Sequence, residues 1–309
     1  MSNNNSPLGV RVKKYKGVVV PTVTPLTSNY QLDEAAVEKM FQHFYASNVE
    51  PFILGTTGEA ASIATNIKKQ FVQKAAAIKK QGSLLYVGIS SNCLDESIEL
   101  SNHAAEVGAD VVVATIPSYY ALTELQTKIY FETLANKSPL PMIIYNIPAT
   151  THVSLPLEWL DVLSHHPNIV AAKDSERSDE RLMQSIALWK DREDFSHFVG
   201  WAARSAKALL LGSDGIIPST GNVVASIYKT LVEAVASGDE ATAYTMQQLS
   251  DDIGAVYQGG KTLGESLWAL KVLMQSKGLC EPYVMPPLQG MSENEKQSLL
   301  EKFTLISYE

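Results

Sequence analysis

Cysteine, long apolar runs and clustered positive charge are all scarce in this chain of 309 residues. The two cysteines, Cys93 and Cys280, lie far apart and outside any Cys-x-x-Cys spacing, so free thiols in a reducing compartment are expected. No apolar stretch reaches the length that spans a bilayer, which argues against a membrane partner. The N-terminal residues lack the basic and apolar regions of a signal peptide, and we therefore expect a cytoplasmic protein.

Positive charge is in the minority. The chain has 25 Lys and Arg against 33 Asp and Glu, a formal net charge of −8, and no basic run interleaved with aromatic residues. Nucleic acid is therefore not an expected partner. The six histidines show no His-Glu-x-x-His spacing, and the Gly-x-Gly-x-x-Gly fingerprint of dinucleotide sites is absent. We expect neither a metal site nor a nucleotide cofactor.

Short β-branched segments alternate with longer amphipathic segments over most of the chain. Asp110–Ile116 is apolar at nearly every position, which indicates a strand that is buried on both faces. Repeated βα units imply parallel strands with right-handed crossovers, and eight such units close into a barrel. The sequence therefore predicts an α/β protein with a (β/α)₈ TIM-barrel fold. The eight predicted strands are Gly17–Pro25, Phe52–Leu54, Leu85–Ile89, Asp110–Ile116, Met142–Tyr145, Ile169–Lys173, Phe195–Val199 and Gly215–Pro218.

Three more helical patterns follow the eighth βα unit, at Glu240–Tyr257, Thr262–Gln275 and Glu293–Phe303. No linker rich in Pro, Gly or Ser separates them from the barrel, so they are predicted to form a C-terminal helical extension. The expected organisation is an N-terminal segment (1–16), the barrel (17–236) and the extension (237–309).

The active site of such a barrel lies at the C-terminal ends of its strands, and the sixth predicted strand ends in Lys173. Strand alternation predicts that Ile169, Ala171 and Lys173 share one face. If that face lines the barrel interior, desolvation lowers the lysine pKa, and the neutral amine can attack a ketone to form a Schiff base. The alternative is a lysine that reaches solvent from the strand end or pairs with Asp174.

Two further strand ends carry polar groups. Tyr145 ends the fifth strand, where its phenol could relay protons, although a core tyrosine with a satisfied hydroxyl would look the same. The second strand leads into Gly55-Thr56-Thr57-Gly58-Glu59, where glycine allows close backbone approach and threonine N–H groups are suited to a carboxylate. Many tight turns share this pattern, so by itself it is weak evidence for a substrate-binding site.

Together these motifs resemble a known family. GTTGE at 55–59, YNIP at 145–148 and the KDS lysine at 173 stand in the order, spacing and strand context of the dihydrodipicolinate synthase/N-acetylneuraminate lyase family of class I aldolases. The similarity runs from about residue 17 to 301 and includes PSYY at 117–120 and PPL…SENEK at 286–296. It implies that Lys173 forms the Schiff base, that Tyr145 relays protons, and that no other cofactor is needed. It also implies that Thr56 and Thr57 hold the pyruvate carboxylate. The predicted substrate-binding residues are these two threonines with Gly55, Thr150, Gly200 and Ile217.

The resemblance also implies a homo-oligomer, a dimer of dimers. Members of the family lend a tyrosine across a subunit interface, and Tyr120 matches that position. A relay of Tyr145, Thr57 and Tyr120 is therefore expected, with ordinary loop packing of Tyr119 and Tyr120 as the alternative.

The chain departs from the family at two places. Dihydrodipicolinate synthases have an arginine five residues after the YN tyrosine for a second carboxylate, and Thr150 stands there in this chain. Sugar-acid lyases have an acidic residue after the seventh strand, where this chain reads Gly200-Trp201-Ala202-Ala203. A hydroxyl does not replace a bidentate guanidinium contact. The residues predicted to bind the part of the substrate beyond the pyruvate unit are therefore unusual for the family.

The sequence thus predicts a lyase that condenses or cleaves pyruvate, a 2-oxo acid, with an aldehyde. The product or substrate would be a 2-keto-3-deoxy sugar acid or an N-acetylneuraminate-like compound. The alternatives are a dihydrodipicolinate synthase, a non-catalytic 2-oxo-acid-binding barrel, and a phosphate-binding enzyme that uses Gly200 and Ser219-Thr220-Gly221.

Overall fold

Eight parallel strands, hydrogen-bonded in chain order, close into a barrel in the computed structural model, which describes residues 13–306. β8 closes the barrel on β1 through the pairs Gly17↔Gly215 and Val18↔Ile216. The predicted TIM-barrel fold is confirmed. Of the predicted N-terminal segment 1–16, the first twelve residues lie outside the described part. The strands are β1 (Gly17–Pro21), β2 (Glu50–Ile53), β3 (Tyr86–Gly88), β4 (Val111–Ala114), β5 (Met142–Asn146), β6 (Ile169–Asp174), β7 (Ser196–Val199) and β8 (Gly215–Ile216).

A helix follows each strand, and more helices cover the C-terminal part. Their starts are marked by capping side chains, as at Thr262 and Ser292, whose hydroxyls accept from the backbone N–H groups of Glu265 and Glu295. The helices are α1 (Glu34–Ala46), α2 (Thr65–Ala77), α3 (Leu94–Glu106), α4 (Glu124–Lys137), α5 (Pro148–Thr151), α6 (Leu157–Leu163), α7 (Asp179–Trp189), α8 (Ser205–Leu210), α9 (Ala225–Ser237), α10 (Glu240–Gln258), α11 (Leu263–Ser276) and α12 (Glu293–Thr304).

The predicted strands differ from the observed ones mainly at their ends. β1 stops at Pro21, four residues before the predicted end, although Val23 is still fully buried. Apolar sequence continues past the last strand pair because the following loop also packs into the core. The sequence analysis does not predict the short helix α5; its sequence signal is Pro148, a residue that favours the first position of a helix.

The strands separate two apolar clusters, because successive side chains point to opposite faces. The inner cluster fills the barrel and consists mainly of Val19, Phe52, Tyr86, Val111, Val113, Ile143, Tyr145, Ala171, Phe198 and Ile217. The outer cluster lies between the strands and the surrounding helices. The inner face of each strand therefore determines which side chains can reach the mouth of the barrel.

A bulge interrupts the alternation in β6. Met142 pairs with Ile169 and Ile143 with Ala171, so Val170 is an extra residue on β6. Ile169 belongs to the outer cluster, whereas Val170 packs against the inner one. The prediction that Ile169 shares a face with Ala171 and Lys173 is therefore wrong at Ile169, because a bulge changes which residues face each side.

The C-terminal helices pack on the barrel as an extension. Every residue of α11 from Ser266 to Met274 is buried, which is typical of a helix enclosed on all sides. Within residues 13–306, none of the helices is both long and apolar enough to cross a membrane.

Candidate active site

Lys173 lies inside the barrel at the end of β6. Its Nζ is 3.7 Å from the centroid of the Tyr145 ring and 5.1 Å from that of Phe52. Only 3% of the lysine is exposed, and burial lowers its pKa, opposed by the neighbouring Tyr145 phenol. A buried lysine with a lowered pKa has a larger neutral fraction, which is the form that attacks a carbonyl carbon.

Tyr145 is held directly beside this lysine, because β5 and β6 pair in the register Tyr145↔Lys173. Burial raises the pKa of the phenol, but the charge of Lys173 and hydrogen bonds from Ser175 and Thr56 outweigh it, so the pKa is lowered. Ser175 donates to the Tyr145 Oη at 3.5 Å. The phenol is therefore placed and tuned to exchange protons with a group bound to the lysine.

Of the two adjacent threonines, it is Thr56 whose side chain is hydrogen-bonded to Tyr145. The sequence predicts Thr57 in this relay, and that role stays a prediction; Thr56 is an additional residue that the structure brings to the phenol. Both threonines are half-buried, in the turn that follows β2. Adjacent residues in a turn point in different directions, and sequence alone does not tell which one faces the neighbouring strand.

The turn itself is built for close packing. The carbonyl of Gly55 accepts from Gly58 N at 3.0 Å, and that of Gly58 accepts from Thr24 Oγ1 at 2.6 Å. A Cβ atom at Gly55 would lie 2.9 Å from the Phe52 ring, the same ring that lies under Lys173. Glycine at 55 therefore lets the turn approach the lysine pocket.

Two other predicted residues lie against this pocket. At Gly200, after β7, an added Cβ would meet the Ser175 Oγ at 1.9 Å and the Lys173 Cε at 3.0 Å. Ile217, just after β8, belongs to the inner cluster together with Phe52 and Tyr145. The structure thus brings Lys173 and Tyr145 together with these positions and the 55–59 turn at one end of the barrel.

A cleft of about 720 Å³ opens beside Tyr145, a volume suited to a small organic ligand. Thr56, Thr150, Lys68 and Glu96 are among the residues that line it. Thr150 lies on α5, with its hydroxyl 3.4 Å from the Ile147 carbonyl.

Tyr120 is not brought to this group within one chain. It is 75% exposed and packs edge-on against Tyr119, with ring centroids 4.9 Å apart. The loop is anchored by the Asn92 Oδ1, which accepts from Ser118 N at 2.8 Å and from Tyr119 N at 3.2 Å. A role for Tyr120 in the site stays a prediction that requires a second subunit.

A network on the outer face of the barrel has no counterpart in the sequence analysis. Asp174 accepts from Asn146 Nδ2 at 3.0 Å and from Arg181 Nε at 2.6 Å, while Asn146 accepts from Leu155 N at 3.0 Å. Asn146 and Asp174 directly follow Tyr145 and Lys173, so the network fixes both strand ends from behind. Since the Asp174 carboxylate is engaged on the other face, the alternative in which Lys173 pairs with Asp174 does not hold.

The hydroxyl groups in the loop after β8 are hydrogen-bonded within the protein. Ser219 and Thr220 are hydrogen-bonded to the Tyr257 hydroxyl at 2.7 and 3.2 Å. These contacts occupy two groups on which a phosphate site would depend. In the described part of the chain, no three His, Cys, Asp or Glu side chains are grouped so that they could hold a metal ion.

Comparisons with known proteins match the chain almost from end to end. The model of the dihydrodipicolinate synthetase family matches residues 14–305. The Escherichia coli (strain K12) protein named "Probable 2-dehydro-3-deoxy-D-pentonate aldolase YjhH" is 30% identical over 292 residues, which are 93% of this chain and 96% of that protein.

Two solved structures are similar over the same extent. Dihydrodipicolinate synthase from Bacteroides thetaiotaomicron gives a TM-score of 0.89 at 28% identity, covering 94% of this chain and 98% of that one. The second is YagE from Escherichia coli K12, a prophage protein of the dihydrodipicolinic acid synthase family solved in complex with pyruvate. Its TM-score is 0.89 at 27% identity, and the match covers 95% of this chain and 99% of that one. The similarity includes both the barrel and the C-terminal helices.

Proposed function

Given that this chain belongs to the dihydrodipicolinate synthetase family and is a lyase of the aldolase type, we propose that Lys173 forms a Schiff base with pyruvate. The observation that carries this proposal is the buried Lys173 Nζ, with its lowered pKa, 3.7 Å from the Tyr145 ring centroid. YagE, solved with pyruvate, supports the choice of 2-oxo acid.

Chemically, the neutral Lys173 amine adds to the C2 carbonyl of pyruvate and gives a carbinolamine. Tyr145 relays a proton from the nitrogen to the oxygen of this carbinolamine and then protonates the departing hydroxyl, so that loss of water gives the protonated imine and leaves Tyr145 as a phenolate. The protonated imine withdraws electrons, so the Tyr145 phenolate takes a proton from C3. The resulting enamine attacks the aldehyde carbon, and the aldehyde oxygen takes that proton from Tyr145. Hydrolysis of the new imine releases the product and frees the lysine; cleavage is the reverse sequence.

The pyruvate carboxylate is assigned to the turn after β2. The N–H groups and hydroxyls of Thr56 and Thr57 are the proposed donors, and Gly55 and Gly200 allow the close approach. Ile217 provides an apolar wall from the inner cluster. Thr56 would thus contact both the substrate and Tyr145, which couples binding to proton transfer.

The aldehyde partner is proposed to be uncharged and hydroxylated, as in the 2-keto-3-deoxy sugar acids. Thr150 offers the cleft a hydroxyl where dihydrodipicolinate synthases place an arginine, and the relative from Escherichia coli is named for a pentonate of this class. The dimer of dimers and the cytoplasmic location remain part of the proposal, supported by the family resemblance and by the sequence.

Reduction with borohydride in the presence of pyruvate tests the proposal. The adduct of one reduced pyruvate should map to Lys173 and inactivate the enzyme. Lys68 is a matched control, because it lines the same cleft and burial lowers its pKa as well. Lys68→Met should keep the labelling and Lys173→Met should lose it. An adduct on Lys68, or none in the wild type, would end this mechanism. Turnover of pyruvate with an aldehyde panel would exclude a non-catalytic binding protein.

A further inference from the structure

A buried ion pair joins the C-terminal extension to the turn after β2. The Nζ of Lys271, on α11, donates to the Glu59 Oε1 at 2.5 Å, and both side chains are fully inaccessible to solvent. Lys271 also donates to the carbonyl of Tyr283 at 2.5 Å, and the N–H of Met285 donates to the Glu59 Oε2 at 2.6 Å. Both carboxylate oxygens of Glu59 are therefore bound by the extension, which compensates for the loss of water around these charges.

The backbone of Glu59 is tied to the proposed substrate site at the same time. Its N–H donates to the Thr56 carbonyl at 3.1 Å, and its own carbonyl accepts from Ser62 N at 2.8 Å. Glu59 has a φ of 56°, in the left-handed region that few residues other than glycine adopt. Such a conformation persists only where surrounding contacts determine it, and the extension supplies those contacts through the side chain.

We infer that Glu59 and Lys271 are positioning residues, through which the C-terminal extension sets the place of Thr56 in the active site. This inference rests on the proposed function, in which Thr56 meets both the pyruvate carboxylate and Tyr145. Loosening the pair lets the turn move away from the lysine pocket, and such a displacement weakens both contacts. The extension is then part of the catalytic apparatus, although Lys271 lies 212 positions along the chain from Glu59.

The test must separate positioning from stability, because removing one partner leaves a buried charge unpaired and can prevent folding. The double variant Glu59→Gln/Lys271→Met avoids this, since neither new side chain is charged and the introduced amide still offers an oxygen to the Met285 N–H. We expect it to fold, and we expect the pyruvate concentration for half-maximal borohydride trapping to rise about tenfold or more. The KM for pyruvate should rise more than kcat falls, since the turn contacts the carboxylate before the chemistry begins.

A matched control lies at the other end of the barrel. Lys13 donates to the Asp214 Oδ2 at 2.9 Å, just before β8, and both side chains are nearly buried. Lys13→Met should lower the melting temperature yet leave half-maximal trapping at the wild-type concentration. The milder variant Glu59→Asp keeps the charge but shortens the side chain, and it should raise the half-maximal concentration in the same direction.

The outcomes are distinct. Suppose that the wild type is trapped and that the double variant needs the same pyruvate concentration for half-maximal trapping. This result would overturn the positioning role. If the double variant fails to fold, the same result in Glu59→Asp would overturn it. An equal rise in Lys13→Met would do the same, because it would show a general effect of stability. A wild type without any adduct would instead overturn the proposed function, and the inference with it.

Discussion

The Nζ of Lys173 lies 3.7 Å from the centroid of the Tyr145 ring, with the Phe52 ring on another side. An aromatic face favours the charged amine, whereas burial favours the neutral one, and the net effect is a lowered pKa for Lys173. The charge of Lys173 in turn contributes to the lowered pKa of the Tyr145 phenol. The pairing of β5 with β6 in the register Tyr145↔Lys173 holds the two side chains next to each other.

Thr56→Val should slow catalysis more than Thr57→Val. The Thr56 side chain is hydrogen-bonded to Tyr145, and losing a bond to a group that becomes charged costs about 1.5–3 kcal/mol, or roughly ten- to hundredfold in kcat. Steady-state kinetics of the two variants provide the measurement. A larger loss of kcat in Thr57→Val would favour Thr57 over Thr56 as the residue that relays protons.

Gly200→Ala should lower kcat/KM by about a hundredfold, because a Cβ there would lie 1.9 Å from the Ser175 Oγ and 3.0 Å from the Lys173 Cε. The double variant Gly200→Ala/Ser175→Ala removes the nearer clash and should recover part of the activity. If Gly200→Ala has wild-type kinetics, the backbone at 200 has room to move, and this contact does not position the lysine.

Aspartate semialdehyde should be a poor partner for pyruvate, because Thr150 offers no cation to a second carboxylate. Thr150→Arg should raise the rate of this condensation by up to about ten- to hundredfold, the value of one charge-assisted contact. Thr150→Gln, which is long but uncharged, is the control and should give no gain. Efficient condensation by the wild type would show that another group binds that carboxylate.

Tyr120 should act in the site of a neighbouring subunit. Lys173→Ala and Tyr120→Phe, each nearly inactive, are mixed after dissociation and reassociation. If pairs form at random between two copies, about a quarter of the sites contain both intact residues, and activity should return to that fraction. The control mixes Lys173→Ala with Tyr145→Phe, which must act in the same chain, and should stay at background. Background activity in both mixtures would place Tyr120 in its own site, whereas full activity of Tyr120→Phe alone would place it outside the mechanism.

His197 should make the fold sensitive to acid. Burial, with smaller contributions from Lys13 and Arg181, lowers its pKa to about 3, between Ser185 and Ser213. The unfolded chain binds this proton below about pH 6.5 and the native chain does not, so the free energy of unfolding falls as the pH drops from 6.5 towards 3. The slope should approach about 1.4 kcal/mol per pH unit.

Urea unfolding at pH 6.5 and pH 4.5 measures this contribution. The loss between the two pH values should be smaller in His197→Gln than in the wild type by roughly 2 kcal/mol. His165→Gln, at an exposed histidine, should keep the wild-type difference. The same pH dependence in all three proteins would contradict a neutral, buried His197.

The barrel was predictable because its determinants are local. The predicted strands, such as Asp110–Ile116, are short segments rich in β-branched residues, and the helical segments between them are longer and amphipathic. The order of the strand ends around one face of the barrel then follows from the sequence, and it places Lys173 beside Tyr145.

The remaining features depend on contacts that no local pattern encodes. Thr56 and Thr57 are equivalent in the sequence, and the turn geometry alone directs one of them to Tyr145. Glu59 and Lys271 meet only because α11 packs over the turn after β2. The sequence leaves Asp174 as a possible partner for Lys173, whereas in the fold Asp174 pairs with Arg181.

The bulge in β6 allows the length of this strand to differ by one residue without a change in the orientation of Lys173. With Ile169 facing the helices, strict alternation over the same residues would also turn Lys173 towards the helices. The bulge absorbs Val170, and the lysine keeps the orientation that its pairing with Tyr145 requires. A chain that lost the codon for residue 170 would pair without a bulge and would still present the amine to the barrel interior. The loss of one residue near the start of this strand is therefore compatible with an unchanged orientation of the proposed nucleophile, Lys173.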